Sequence, residues 1–460
     1  MKQKIICCFS LIVVVLLTTF LCLPPKDADI LKNTKELKKQ NVLAIMIETG
    51  EATDTYQEST SGSWPTEGYR FNRKLSRCTN GGELSWDKEK KIVSLSGNSD
   101  DKCYVYFDVG VESIADYCDT GTDLATCVKN FGDQGSAISN IYIHNSSLAN
   151  GAGDNSYRYA GASDSVNNYI CLGSDETTCP DANLFRIIGV FGDKTKVIRA
   201  KSVGDQKWHT SESNTWSSSS LNAYLNGTYL TSLGTVAEKI ATTTWKVGGS
   251  SWSNIDNVVP ATAYQYEVGT SASTTTVDKK IGLMYVSDYY YSASPSAWTL
   301  VGYNKSDATK DYSAAKTINW LYLGSKEWTI SRVSDETFSA FIVDGSGHVF
   351  SYSVNFSNFA VRPSFNLDST VTYVSGDGTK SNPIRINWLT DSFEITPVKP
   401  GQNEVKIRPM LNELPHFLYC DVAIIGANMV KSHIITHAFV LKKIYFMQKK
   451  DFRKCQSKML

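Results

Sequence analysis

The sequence has no net charge, since 46 Lys and Arg stand against 46 Asp and Glu. It has few histidines (6), no Cys-x-x-Cys pair, and no cysteine between Cys179 and Cys420. Each of these shortages excludes something. The charge is unevenly spread: +4 over residues 1–40, −9 over 41–386 (28 basic against 37 acidic) and +5 over 387–460. An acidic middle without a Lys/Arg stripe argues against a nucleic-acid partner, because phosphate binding needs clustered positive charge. Without Cys-x-x-Cys, and with His144 the only histidine near the cysteine-bearing stretch, zinc has no donor set. The region 184–386 offers only His209 and His348 for a His-based triad, and no Gly-x-Ser-x-Gly elbow. Hydrophobic residues are 42% and charged residues 20%, ordinary globular usage, which excludes a disordered chain, a collagen and a multi-span transporter. No repeat with a period of roughly 20–50 residues is visible.

Short motifs fare no better as catalytic signals. Ser313-Ala-Ala-Lys316 fits Ser-x-x-Lys, but no Lys-Thr-Gly or Ser-Asp-Asn partner follows. In Gly376-Asp-Gly-Thr-Lys-Ser381 a threonine breaks the Gly-Lys-Ser/Thr core of a phosphate loop, so a turn is expected. His433 and His437 lack the adjacent Glu of a zinc protease. No catalytic residue is assigned.

What is present points outside the cell. Lys2 and Lys4 precede an apolar run from Ile5 to Leu23, stopped by Pro24 and Pro25. That length is close to a membrane span, and the lysines favour a cytoplasmic N-terminus. The run ends Phe20-Leu21-Cys22-Leu23, without the small residues of a cleavage site. Residues 1–25 are therefore expected to be a signal anchor, a single pass through the cell membrane. A cleaved signal and a lipid anchor on Cys22 remain the alternatives. All three place the bulk of the chain outside the cell. Cys78, Cys103, Cys118, Cys127, Cys171 and Cys179 lie in one stretch, and an even count in an exported segment suggests disulfides. Pairing sequence neighbours, 78–103, 118–127 and 171–179, is the simplest arrangement.

Residues 26–40 read as a charged stalk. Residues 41–145 read as a β-rich, disulfide-stapled module, with strands such as Ile92-Val93-Ser94-Leu95 and Tyr104-Val105-Tyr106-Phe107 around turns such as Asn80-Gly81-Gly82. Residues 146–183, rich in Ser, Asn, Gly and Asp, read as a loop or linker. From 184 the apolar run Phe185–Phe191, the Asp193-Lys194 turn and Val197–Ala200 form a hairpin pattern. Ser218 or Ser219 can cap a short helix, and Tyr264–Val268 and Ile281–Tyr285 read as strands. A second hairpin runs Phe338–Val343, Asp344–Gly347, His348–Tyr352. Residues 387–460 form an atypical basic tail.

The strings Phe185-Arg-Ile-Ile-Gly-Val-Phe191, Lys280-Ile-Gly-Leu-Met-Tyr-Val-Ser-Asp-Tyr-Tyr290, Trp320 with Trp328-Thr-Ile-Ser-Arg332, and Val361-Arg-Pro-Ser-Phe-Asn-Leu367 followed by Ser375-Gly-Asp-Gly-Thr-Lys-Ser-Asn-Pro383 occur in that order. Over roughly 41–386 the chain resembles a domain-of-unknown-function family of surface proteins from Gram-positive, mostly gut-dwelling bacteria. More faintly, Trp328 with Arg332, the late hairpin and Arg362-Pro363-Ser364-Phe365 resemble the C-type-lectin-like fold of formylglycine-generating and tropism-determinant proteins. These readings together give an α+β, β-rich class: an N-terminal transmembrane helix and a small disulfide-stapled β module, read from the residues, then a domain over 184–386 that the resemblance implies is C-type-lectin-like. The fold hosts both binding and catalysis, so it does not settle function. Formylglycine-type oxidation would need cysteines that 184–386 lacks.

Candidate ligand-binding residues are Tyr289, Tyr290, Tyr291 and Trp298, expected as an exposed aromatic cluster, with Arg332 and Arg362. The structural alternative pairs the arginines with Asp335, Asp288 or Asp368, and makes the aromatics core filler. No cofactor is expected; calcium on Asp344, Asp368 or Asp377 is the one cation the loops suggest, without EF-hand spacing. The expected partners are the cell membrane and a glycan or surface-protein ligand. The expected function is non-enzymatic, adhesin-like binding, with a structural subunit of the envelope or of a pilus-like fibre, or an envelope-polymer-modifying enzyme, as alternatives.

Overall fold

In the computed structural model, residues 34–388 are described apart from 39–40, 51–52, 61–62, 66, 88–89, 99, 257, 300–314 and 357, together with 393–395 and 407–409. The expected membrane span at 1–25 lies outside the described residues. No helix among the described residues is long and apolar enough to cross a membrane. The chain divides into units 1–389 and 390–460. In the second, Phe393–Ile395 pairs antiparallel with Ile407–Pro409.

The first unit is a β-rich α+β structure with two main hydrophobic cores. The N-terminal core lies between a five-stranded sheet and a three-stranded sheet. Val42–Glu48 and Cys103–Val109 run parallel at the centre of the larger sheet. Cys103–Val109 alternates, and Cys103, Val105 and Phe107 point inward against Ile45, Phe71, Val93 and Leu95. The described part of the expected stalk, 34–38, joins this module. Thr34–Glu36 is a strand paired with Ile92–Ser96, and Leu37 is buried in the core. The buried Asp101 carboxylate accepts the Asn80 and Gly82 amides and the Thr79 hydroxyl, and so holds the Asn80-Gly81-Gly82 turn.

The larger core surrounds a nine-stranded sheet. Its spine is the antiparallel hairpin Leu184–Phe191 and Lys194–Arg199, found where the sequence places it. Ser364–Leu367 and then Ile281–Gly282 extend one side. Tyr169–Cys171 extends the other, followed by Ile384–Ile386 in parallel and Tyr373–Ser375. Tyr157–Tyr159 also pairs with Leu184–Phe191, and carries Ile141–Ile143 beyond it. The stretch 146–183 is thus built into the sheet, although its strands are only 3 residues long and too short to show a period. The buried apolar side chains from Ile114 to Phe131, including those of the helix Leu124–Gly132, belong to this core and not to the N-terminal one.

A five-stranded sheet lies alongside, ordered Asp205–Gln206, Phe359–Ala360, Glu327–Arg332, Ser339–Val343, Val349–Ser353, and it contains the late hairpin. Tyr264–Val268 is not a strand. It falls in and just after the helix Pro260–Glu267, which begins with proline at its first turn, where the missing N–H costs nothing. Ser219 caps the helix Ser220–Tyr224, its hydroxyl accepting the Asn222 amide. Cys78–Cys103, Cys118–Cys127 and Cys171–Cys179 are bonded, the pairing of sequence neighbours.

Candidate functional site

The aromatic cluster read from the sequence is not on the surface. Tyr289, Tyr290, Tyr291 and Trp298 are at most 1% exposed. The tyrosines occupy the last half of the helix Val286–Tyr291, which is buried on every side. Helical rotation of about 100° per residue sends the three rings to three different neighbours. Their hydroxyls donate to the carbonyls of Gly347 (2.9 Å), Ile255 (3.0 Å) and Asn150 (3.2 Å). Trp298 donates to Ala293 O at 3.0 Å. These residues are core, each with its polar tip satisfied.

The arginines are structural as well, with partners other than those expected. Arg362 grips Glu327 with two parallel bonds, Nε to Oε1 and Nη2 to Oε2, both 2.7 Å. Burial pushes the Glu327 carboxyl up against the pull of Arg362. Arg332 is half-buried and donates to Asn214 Oδ1 at 3.1 Å. The proposed calcium ligands do not converge: Asp344, Asp368 and Asp377 each accept bonds within their own turns, from Ser346, Thr370 and Thr379. The Gly376–Ser381 segment is accordingly a turn organised by Asp377.

A different site emerges on the nine-stranded sheet. Arg158 lies opposite Gly189, Gly189 opposite Lys196, and Lys196 opposite Asn366. Directly opposed residues share a sheet face, so this row carries two cations and an amide on one side. Gly189 makes the row possible. A Cβ there would lie 2.3 Å from Tyr157 O, and the strand bearing Arg158 could not approach.

Together with the strand Thr243–Lys246, the helix Pro260–Glu267 and the start of Val286–Tyr291, the row lines a cavity of about 250 Å³. Its walls include the rings of Phe191, Trp245, Tyr264 and Tyr285. Gly282 admits Trp245, because a Cβ at 282 would lie 2.9 Å from the indole.

Each of the two cations in the row has one carboxylate. Lys196 Nζ is 2.5 Å from Asp288 Oδ2, and both side chains are nearly buried. Asp288 also accepts the Tyr285 amide at 2.8 Å, which fixes it at the helix start. Arg158 Nη2 is 2.6 Å from Asp154 Oδ2, and Arg158 Nε donates to Ser156 Oγ at 2.7 Å. Burial raises the Asp154 carboxyl, but Arg158 and the Ser156 hydroxyl and amide outweigh it and hold it below the usual carboxylate range.

The rings complete the cage. Arg158 Cζ lies 4.7 Å from the Phe191 centroid and 5.2 Å from that of Tyr264. Lys196 Nζ lies 4.8 Å from the Tyr285 centroid and 5.5 Å from that of Trp245. Such contacts are strongest where the cation is desolvated. Behind the helix start, Glu267 accepts the Val286 and Ser287 amides, both at 2.8 Å, and the Ser331 hydroxyl. Its carboxyl is raised by burial.

The sequence offered little signal for this site, since the strand Lys194–Arg199 carries Lys194, Thr195 and Arg199 beside Val197 and Ile198, and nothing in it marks Lys196 as buried. Its partner Asp288 lies 92 residues away, beyond any local pattern.

The class defined by this architecture is a disulfide-bonded, β-rich α+β protein with a charged, aromatic-walled pocket. Residues 192–369 match the family model described as "Domain of unknown function (DUF6273)", so a domain of that family covers this stretch. Lys196, Trp245, Tyr285, Asp288 and Asn366 fall inside the match, while Asp154, Arg158 and Phe191 precede it. No curated protein and no solved structure matches the chain.

Proposed function

We propose that this is an exported surface protein, anchored in the membrane by its N-terminal segment, that binds a glycan or protein ligand without chemically changing it. The pocket at Lys196 and Arg158 is where the ligand sits. The observation that carries the reading is a buried ion pair, Lys196 with Asp288, and a partly buried one, Arg158 with Asp154, lining an aromatic cavity. A concave site with ring walls and a few convergent polar groups is the usual form of a ligand pocket. Both carboxylates are held by cations, which suits positioning a ligand better than accepting a proton from one. The three bonded cysteine pairs support export, because such bonds persist in oxidising surroundings. The resemblance of the second module to C-type-lectin-like domains fits the same reading.

The test is a glycan and host-matrix array probed with the full-length protein and with Thr244→Trp. Thr244 lines the pocket and is exposed, so a large ring there blocks the mouth without entering the core. Binding by the wild type that is lost in Thr244→Trp supports the reading. Binding that survives Thr244→Trp moves the site elsewhere.

A specific observation favours assembly as a second reading. Among the described residues Val349–Ser353 is an edge strand paired only with Ser339–Val343, with Phe350 51% exposed on it and Phe356 73% exposed just beyond. An open edge with apolar side chains is a template for another strand. Sedimentation of wild type and Phe350→Lys at rising concentration tests it: association in the wild type alone supports a subunit role.

A further inference from the structure

We propose that the pocket selects a single sugar ring bearing a carboxylate, a uronic or sialic type of acid. The inference rests on the pocket being the binding site. Size is the first argument. About 250 Å³ lies just below the roughly 300–1,000 Å³ of pockets that take drug-sized ligands, so one ring and its substituents fill it.

Charge is the second. Three cations line the cavity, Arg158, Lys196 and Lys246, against two carboxylates, Asp154 and Asp288. One positive charge is left over, which matches one ligand carboxylate.

The donors are the third. Arg158 is 2% exposed and Lys196 5% exposed. Among the described residues Arg158 bonds only through Nε and Nη2, and Lys196 only to Asp288. A guanidinium has five N–H donors and an ammonium three, so both keep donors without protein acceptors. Neither residue holds a closed-off polar atom without a partner, so the spare donors open on the cavity, where a carboxylate answers two of them with charge-assisted bonds. Phe191 lies beside both cations, so their spare donors border the same space.

The walls are the fourth. Trp245, Tyr264 and Tyr285 offer faces to the C–H side of a sugar ring, and in the lining Asn366 donates to the Thr243 hydroxyl at 3.0 Å while its own oxygen has no partner among the described residues.

The experiment measures binding of glucuronate, galacturonate and N-acetylneuraminate to the full-length protein by calorimetry. Glucose, galactose, N-acetylglucosamine and acetate are the comparisons, at low and high salt. The expected result is binding of at least one sugar acid, at least tenfold tighter than its neutral counterpart and than acetate, weakened by salt and abolished in Thr244→Trp. Lys246→Gln removes the surplus charge from a half-buried position and is expected to weaken the sugar acid about fivefold without changing neutral sugars. The paired variant Lys196→Met/Asp288→Asn avoids stranding a buried carboxylate and is expected to weaken it more than tenfold. A neutral sugar that binds as tightly as the acid, with binding lost in Thr244→Trp, overturns the acid preference and leaves the pocket reading standing. So does silence from all the sugars when the array ligand is lost in Thr244→Trp. Acid binding that Thr244→Trp leaves intact overturns both.

Discussion

Acid should weaken this protein through a histidine that cannot be protonated where it sits. His144 is fully buried, with its ring edge-on to Tyr291 at 4.6 Å between centroids and tilted against Trp298 at 5.1 Å. Nδ1 accepts the Ala152 amide at 3.0 Å, which assigns the proton to Nε2. Charging the ring would set a donor against that amide. Burial and the nearby Arg158 lower its pKa from 6.5 to about 3, and Asp154 opposes them only in part. The sign follows. The unfolded chain takes up the proton first as pH falls below about 6.5, while the native state refuses it until about 3, so stability is lost across that window. From about pH 7.5 to about pH 5 the loss is about 2 kcal/mol from this residue alone. His144→Gln keeps an acceptor for the amide and removes the titration. Urea unfolding followed by tryptophan fluorescence at the two pH values, in both proteins, isolates the residue: the wild type should lose about 2 kcal/mol more than the variant. Equal losses in the two proteins would refute the reasoning.

Other perturbations follow from the same contacts. Arg362→Met strands the Glu327 carboxylate in the core and should cost about 3–5 kcal/mol in thermal or chemical unfolding; a cost below about 1 kcal/mol would mean the pair carries no burden. Trp298→Ala should destabilise by about 3–5 kcal/mol, because it empties a buried site, and should leave the ligand pocket open. A stable Trp298→Ala protein that has lost ligand would restore the surface-cluster reading. Removing the Cys78–Cys103 bond, which spans 25 residues, should cost about 3.5 kcal/mol, and removing Cys171–Cys179, which spans 8, about 2.5 kcal/mol; the reverse order in matched denaturation curves counts against the chain-entropy account.

What could be read from the sequence was local. The hairpin at 184–199 and the one at 339–353 follow from apolar runs around tight turns, and the Ser219 cap from one hydroxyl before a helical pattern. The disulfides followed from proximity along the chain. Two local readings failed for identifiable reasons. The alternation of Tyr264–Val268 imitates a strand although Pro260 starts a helix there, and the three-residue strands at 157–159 and 169–171 sit among turn-forming residues. The run of three tyrosines suggested exposure because a loop cannot bury all three, whereas a fully enclosed helix can. The pocket was not legible. It exists because strand register aligns Arg158, Gly189, Lys196 and Asn366, and because a helix start delivers Asp288 to the lysine. Register is a property of paired strands, and no single stretch of sequence states it.

The parallel pairing of Tyr169–Cys171 with Ile384–Ile386 sets an order of events for a newborn chain. Strand 169–171 leaves the ribosome some two hundred residues before its parallel neighbour exists, a wait on the order of 10–40 s at ordinary rates of synthesis. The N-terminal module, complete by Val109, can fold during that wait. The larger sheet cannot, because two of its strands, Tyr373–Ser375 and Ile384–Ile386, arrive last. Its unfinished edge must be kept from other strands until then, so a partner that shields nascent chains would act on this protein mainly through that interval.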